Sequence, residues 1–141
     1  LREVMQMDKT KLAFDSIVAI AGTAVGYVFG GWDVSLTVLL ILMVADYISG
    51  VLVGISDKNL SSTIGFKGIA KKIVLLMIVG LGALIDRLLG NQGWVCRNLT
   101  AWFYIANEGI SILENASSLG LPVPSKISAI LSQIKDRTEA E

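Results

Sequence analysis

The sequence VSLTVLLILMVADYISGVLVGI, residues 34–55, is apolar along its whole length apart from a few small polar residues and one acid, Asp46. A helix rises about 1.5 Å per residue, so some 20 such residues cross roughly 30 Å of hydrocarbon. The stretch therefore predicts a transmembrane helix with Asp46 roughly 14 Å from its nearer end. A carboxyl at that depth marks either an interhelical hydrogen bond or a hydrated functional path.

Three further blocks of similar length surround this one, at residues 12–31, 68–90 and 94–116. The chain as a whole is 53% hydrophobic and only 17% charged, with a mean hydropathy of +0.66. The sequence predicts an all-α membrane protein, in which residues 1–141 form a single membrane domain of four transmembrane helices with short connections. We expect the first helix to be retained and not cleaved as a signal peptide, because acidic residues dilute the basic region before it.

The basic residues predict the orientation of this bundle. With four spans, ten of the twelve Lys and Arg residues lie on the side of the termini and the middle loop, and only Arg87 and Arg97 lie on the other. Cytoplasmic segments of membrane proteins carry such an excess of positive charge. We therefore expect both termini in the cytoplasm, with Trp32 and Trp94 at the outer membrane surface.

Composition also excludes several classes of function. The chain has no histidine and one cysteine, Cys96, which removes the usual metal sites, disulfides and His-assisted nucleophiles. Twelve basic and twelve acidic residues leave no net positive field that would attract nucleic acid. We expect no enzyme activity, no cofactor, no metal and no nucleic-acid partner.

Small residues suggest where helices approach one another. Glycines recur every four residues in the first block, at Gly22, Gly26 and Gly30, and the second block has a related face at Ser49, Gly50 and Gly54. Such ridges let membrane helices pack closely. The alternative is chance spacing in a glycine-rich chain, and the pattern leaves open whether the partner helix belongs to the same chain or to another copy.

The fourth block is the most polar, with the sequence IANEGISILEN at residues 105–115. Its polar residues follow helical spacing and predict one polar stripe: Tyr104, Asn107 or Glu108, Ser111, Glu114 or Asn115, and Ser118. An amphipathic helix of this kind lines a cavity, packs on partner helices or lies on the membrane surface. All three possibilities remain open from the sequence.

Depth along the four predicted spans indicates which charges meet. Lys71 and Lys72 are predicted to be level with Glu114 at the inner face, and Asp86 is predicted to be level with Arg97 at the outer end, so both sets are candidate ion pairs. Asp46 and Glu108 also fall at one depth, and no basic residue is predicted there. Either one of the two carboxyls is then protonated or the interior is hydrated.

A shorter amphipathic helix is predicted after the fourth span. Pro122 and Pro124 end the span, and apolar residues recur at helical spacing within residues 125–137. This tail is too polar to cross a membrane. We expect it either to lie on the inner membrane surface or to associate with the same tail of other copies, and the last five residues could simply be frayed.

Five motifs in series resemble one family. They are ADYISGVLVG (45–54), LSSTIGFKGIAKK (60–72), Asp86, IANEGISILEN (105–115) and GLPVP (120–124). Together they are similar to the phage-lysis and toxin-secretion holins, and the resemblance covers about residues 34–135.

The resemblance implies a multi-pass protein of the bacterial cytoplasmic (inner) membrane that forms homo-oligomers in the bilayer and permeabilises it. A cell-wall hydrolase, or in some relatives a toxin, then leaves the cytoplasm, and direct contact between this cargo and the membrane protein is not required. The polar positions that would line the pore are Asp46, Asp86, Asn107, Glu108, Ser111, Glu114 and Asn115. The alternative is a small four-helix proton-coupled transporter that acts as a dimer and binds through Asp46 or Glu108.

Overall fold

The computed structural model describes residues 2–140, without the side chains of residues 2, 4, 5 and 7, so the ends of the predicted 1–141 domain lie outside the described residues. The described chain is all-helical, with five helices and no strand. They are α1 (Arg2–Phe29), α2 (Val34–Ser56), α3 (Ser62–Leu89), α4 (Val95–Ser118) and α5 (Ser125–Ala140).

Three of these helices are long and apolar enough to cross a membrane. They are α1 over Asp8–Phe29, α2, and α3. The helical class and the first three spans predicted from sequence agree with this. The polar residues of α4 keep it out of this group, although at 24 residues it is as long as α2.

Caps explain where the helices begin and end. The Asp33 carboxylate accepts a hydrogen bond from the Leu36 N–H at 3.0 Å and so fixes the start of α2. Ser61 Oγ accepts from the Ile64 N–H at 3.2 Å, and α3 consequently begins at Ser62, six residues before the predicted start. Gly90, with φ +71°, ends α3 in the left-handed conformation that a C-cap favours.

Helix α4 is the centre of the bundle. It packs against α2, α3 and α5, whereas α1 contacts α3. The apolar core joins the three central helices through Leu36, Leu39 and Met43 of α2, Leu75 and Val79 of α3, and Ala101 of α4. At Gly82 the backbones of α3 and α4 come so close that an added Cβ would lie 3.1 Å from Arg97 Cα.

Helix α1 is peripheral, and its predicted glycine ridge does not pack within the chain. Among the described residues, no atom outside the helix lies within 4 Å of a Cβ added at Gly22 or Gly26. The prediction is wrong for Gly30, because α1 ends at Phe29 and Gly30 forms a turn with φ +75° against the Trp94 ring. The side chain of Val28 instead touches Gly80 of α3.

Helix α5 folds back along α4. The connection passes through Gly120, with φ +82°, and two prolines, which reverse the chain direction. Leu131 then packs so closely on Gly109 that a Cβ added there would lie 2.9 Å from Leu131 Cδ1. The sequence left open whether this tail lies on the inner membrane surface or associates with the tails of other copies. In the structure its apolar face packs against α4 of the same chain.

Candidate functional site

A lysine and two carboxylates meet in the middle of the bundle. Lys72 Nζ of α3 forms ion pairs with Asp46 Oδ2 of α2 and with Glu108 Oε2 of α4. The three side chains are only 17%, 15% and 10% exposed, respectively. We call Asp46, Lys72 and Glu108 the charge cluster.

Helix length brings these groups to one level. Each residue lies ten positions from the end of its helix on the same side of the bundle: Ser56 in α2, Ser62 in α3 and Ser118 in α4. Ten residues correspond to about 15 Å of helix. The prediction that no basic residue is level with Asp46 and Glu108 is therefore wrong. Since α3 starts six residues earlier than predicted, Lys72 lies ten residues from the start of the helix instead of near it.

Asn115 extends the polar contacts of the charge cluster toward the same end of the bundle. Its amide Nδ2 donates to Asp46 Oδ1 at 3.3 Å and to Ser49 Oγ at 2.9 Å. Gly50 faces the same amide, 3.8 Å from an added Cβ, whereas Gly54 faces Leu60. The small residues of α2 thus make room for a side chain of α4 and for the following loop.

The charge cluster lies beside an open cavity of about 450 Å³ between α2, α3 and α4. Tyr47 borders it and lies against Gly65 and Gly68 of α3, 3.4 Å from a Cβ added at either glycine. Its polar lining comprises Asp46, Lys71, Lys72, Asn107, Glu108, Ser111 and Asn115. Part of the α4 stripe thus borders a cavity within one chain, and its role in lining a pore stays a prediction.

The rest of the α4 stripe points elsewhere. Glu114 and Ser118 are exposed, and the Ser118 hydroxyl donates to the Glu114 carbonyl at 3.0 Å within the helix. Lys71 is also exposed, and Lys72 is held by the charge cluster. The predicted ion pairs of Lys71 and Lys72 with Glu114 are therefore wrong.

Asp86 joins α3 to the start of α4. Its carboxylate is fully buried and accepts from the backbone N–H groups of Cys96 at 3.0 Å and Arg97 at 2.9 Å, and from Asn91 Nδ2 at 3.2 Å. Trp94, the residue before α4, provides no side-chain cap of its own. Asp86 supplies the missing acceptor from a neighbouring helix. Its negative charge also interacts favourably with the partial positive charge at the N-terminus of α4.

The Arg97 side chain binds Asp33 and not Asp86, which corrects the predicted ion pair. Its guanidinium, 2% exposed, lies 2.7 Å from Asp33 Oδ2. The Arg97 hydrogen bond holds the pKa of the Asp33 carboxyl below its usual value, outweighing burial, which acts in the opposite direction. Asp33 was not among the sequence-predicted site residues, although its position before an apolar run is a cap signal.

Arg87, near the end of α3, attaches the end of α1 to this part of the bundle. It donates to the Tyr27 carbonyl through Nε at 3.1 Å and Nη2 at 2.8 Å. Its guanidinium carbon also lies 4.1 Å from the centroid of the Tyr27 ring and 5.0 Å from that of Trp94. The end of α1, the end of α3 and the start of α4 are thus held together at one end of the bundle.

Comparison with known proteins finds relatives that match most of the chain. An uncharacterized 14.9 kDa protein of Clostridium perfringens is 45% identical over 116 residues, which cover 82% of this chain and 88% of that protein. An uncharacterized Listeria monocytogenes protein is 48% identical over 103 residues, 73% of each chain. The uncharacterized YqxH protein of Bacillus subtilis is 37% identical over 113 residues, 80% of this chain and 79% of YqxH.

No solved structure matches the chain significantly. The bacteriophage holin family matches residues 23–136, which include the complete α2, α3 and α4, the charge cluster and most of α5. With three helices able to span a bilayer, the chain is a holin-like membrane protein, and it belongs to the bacteriophage holin family.

Proposed function

We propose that this protein is a holin that accumulates in the bacterial cytoplasmic membrane, assembles with other copies of itself and opens lesions. A cell-wall hydrolase, or a toxin in another setting, would pass through these lesions without needing to bind the holin. Family membership supports the general function. The observation that supports this mechanism most directly is the charge cluster. It keeps charged groups between α2, α3 and α4, away from the apolar surfaces of the bundle.

The charge cluster suits a protein that first accumulates harmlessly. Ionised groups in hydrocarbon cost several kcal/mol each, and a lysine shared by two carboxylates offsets part of that cost. The outward residues of α3, such as Ile73, Met77 and Leu81, are apolar and exposed, as expected for contact with lipid. The charge cluster and the apolar side of α3 can therefore be accommodated in the bilayer without a path for water.

Four spans with both termini in the cytoplasm form part of the proposal. Support comes from contacts at two levels of α4: Glu108 pairs with Lys72 in mid-bundle, and Asp86 caps the first turn of α4. Because α4 is held to α3 at both of these levels, α4 would lie at the same depth in the bilayer as α3. The distribution of basic residues favours a cytoplasmic location for the termini.

A carrier is the alternative, and the charge cluster argues against it. A proton-coupled carrier requires a carboxylate that is free to exchange its proton or bind a cationic substrate. Both candidates, Asp46 and Glu108, are instead paired with Lys72. A carrier would also leave the membrane impermeable to proteins, which gives an experimental distinction.

Inducible expression in bacteria, with and without a co-expressed cytoplasmic cell-wall hydrolase, tests the proposal. We expect membrane potential to collapse abruptly in both cultures and turbidity to fall only in the culture with the hydrolase. Continued growth with solute efflux that depends on pH would instead support the carrier. An intact membrane potential at high expression would exclude the holin.

A further inference from the structure

Helix α5 presents a polar face away from the bundle. Its half-buried residues, among them Leu131, Ile134 and Thr138, lie toward α4. The opposite face consists mostly of exposed residues that are polar or small: Lys126, Ala129, Ser132, Gln133, Asp136, Arg137 and Ala140. We call these seven residues the outward face of α5. Ile130, four residues after Lys126 and three before Gln133, lies on the same side and is exposed, and the exposed Ile127 borders it.

This outward face lies level with the middle of the membrane-spanning helices. Leu131 packs on Gly109, the residue that follows Glu108 of the charge cluster. Farther along α5, Ile134 and Thr138 border a cleft of about 430 Å³ with Leu99, near the start of α4. With α4 spanning the bilayer as proposed above, α5 would rise past the bilayer centre toward the outer side.

Lipid is a poor neighbour for such a surface. The outward residues of α3 at similar levels are Ile69, Ile73, Met77, Leu81 and Leu84, all large and apolar. Lys126, Gln133 and Asp136 on α5 would each lose hydration in hydrocarbon. Polar helix faces at membrane depth are tolerated where they meet protein or line water.

The polar groups of α4, by contrast, are largely occupied within the chain. Glu108 pairs with Lys72, Asn115 binds Asp46 and Ser49, and Asp86 caps α4 from α3. Asn107 and Ser111 border the open cavity, but a lumen lined by Glu108 or Asn115 would have to compete with these contacts. The outward face of α5 can meet water with the fold unchanged.

We propose that the outward face of α5 lines the aqueous lesion, with α5 still packed on α4 and with the α5 helices of other copies completing the wall. This inference rests on the proposed holin function and replaces the α4 stripe as the lining. The apolar helices then face lipid, α4 is the supporting layer, and α5 faces water. The lining that it predicts is mixed in charge, with Lys126 and Asp136 both exposed.

A disulfide between α4 and α5 tests whether α5 stays in place. Purified full-length protein carrying Cys96→Ser with Gly109→Cys and Leu131→Cys would be reconstituted in lipid vesicles and oxidised. In Leu131→Cys the sulfur takes roughly the place of Leu131 Cγ, which lies 3.6 Å from a Cβ added at Gly109, so the two new thiols lie close to each other. We expect an intrachain bond and leakage within about twofold of that of the reduced protein.

The outcomes separate the two proposals. Leakage that is lost on oxidation and restored by reduction would overturn the α5 lining and leave the holin function intact, as would failure of the bond to form in membranes. Single variants with only one of the two new cysteines control for effects of oxidation itself. Absence of leakage from the parent protein would overturn both proposals.

A second variant reports directly on the lumen and does not disturb the α4–α5 contact. Gln133→Cys in the Cys96→Ser background should react with a bulky, membrane-impermeant thiol reagent in planar bilayers, and the ionic current should fall. Met77→Cys on the exposed apolar side of α3 is the matched control and should stay unlabelled. Labelling of Gln133→Cys with an unchanged current would contradict the proposed lining.

Discussion

Lys72 brings a positive charge into the middle of an apolar helix bundle, where it is the shared partner of Asp46 and Glu108. Removal of one member of a buried ionic group leaves charge without compensation, at a cost of about 3–5 kcal/mol. Removal of all the charges at once leaves none unpaired. The cost of losing Lys72 should therefore depend on whether the two acids remain.

Lys72→Met should lower the free energy of unfolding by roughly 3 kcal/mol, because two carboxylates then face one another without a cation. The triple variant Lys72→Met, Asp46→Asn, Glu108→Gln should recover most of this loss. Unfolding in mixed detergent micelles measures both effects. Lys71→Met is the matched control, since Lys71 is exposed, and an equal loss in the two single lysine variants would contradict the assigned pairing.

Asp33 gives a prediction about pH. Its pKa is lowered in the folded protein, so the contribution of the Asp33–Arg97 pair is complete above the ordinary aspartate pKa of about 4 and is lost as pH falls through the lower folded value. Asp33→Asn retains a capping side chain but carries no charge. The gap between parent and variant in thermal unfolding should be constant from pH 7 to about pH 5 and should shrink only below about pH 4. A gap that shrinks between pH 7 and pH 5 would show that another group is responsible.

The sequence was sufficient to identify the acids of the charge cluster but not their partner. Asp46 and Glu108 interrupt apolar sequence, so their positions alone predicted a shared depth. Lys72 was assigned to the inner face because α3 was expected to begin at residue 68, and the Ser61 cap moves that start to Ser62. The difference of six residues corresponds to about 9 Å of helix, which is enough to move Lys72 from the predicted surface position to the middle of the bundle.

At the scale of helices, the contact between α3 and α4 is held by a close backbone approach. Gly82 permits this contact, since a Cβ would lie 3.1 Å from both the N and Cα atoms of Arg97. Backbone atoms cannot rotate away as a side chain can. The Asp86 cap next to this contact requires the two helices to stay together.

Gly82→Val should destabilise the protein by about 1–3 kcal/mol, because overpacking would push α4 away from Asp86. Gly22→Val is the matched control, since it places the same residue in a helix where no outside atom lies within 4 Å of the added Cβ. Midpoints of thermal unfolding in detergent would compare them. Similar midpoints for the two variants would show that the close approach is unimportant.

Helical pattern predicted the elements better than their packing. The existence of all five helices followed from apolar block lengths and from the spacing in residues 125–137. The return of α5 along α4 did not, because the spacing of Leu131 and Ile134 defines an apolar face without indicating which surface covers it. The contact depends on Gly109, which lacks a side chain and therefore gives no signal in a hydrophobic pattern.

At the scale of the whole molecule, the polar groups are arranged in layers. The exposed surfaces of α1, α2 and α3 include many large apolar residues, the charge cluster lies between α2, α3 and α4, and α5 carries the outward polar face. A carrier needs one cavity that opens alternately to each side. A holin needs a lipid-facing side and a water-facing side in every copy, and under our proposals α1–α3 and α5 would supply them.

The passage of a folded protein across a membrane is the most direct test of the proposed function. Lipid vesicles would contain a small dye and a fluorescent protein the size of a cell-wall hydrolase, and purified holin would be added at increasing density. We predict that both cargoes escape together above a threshold density, because lesions form by self-assembly. Release of the dye alone at every density, with the protein retained, would contradict the account.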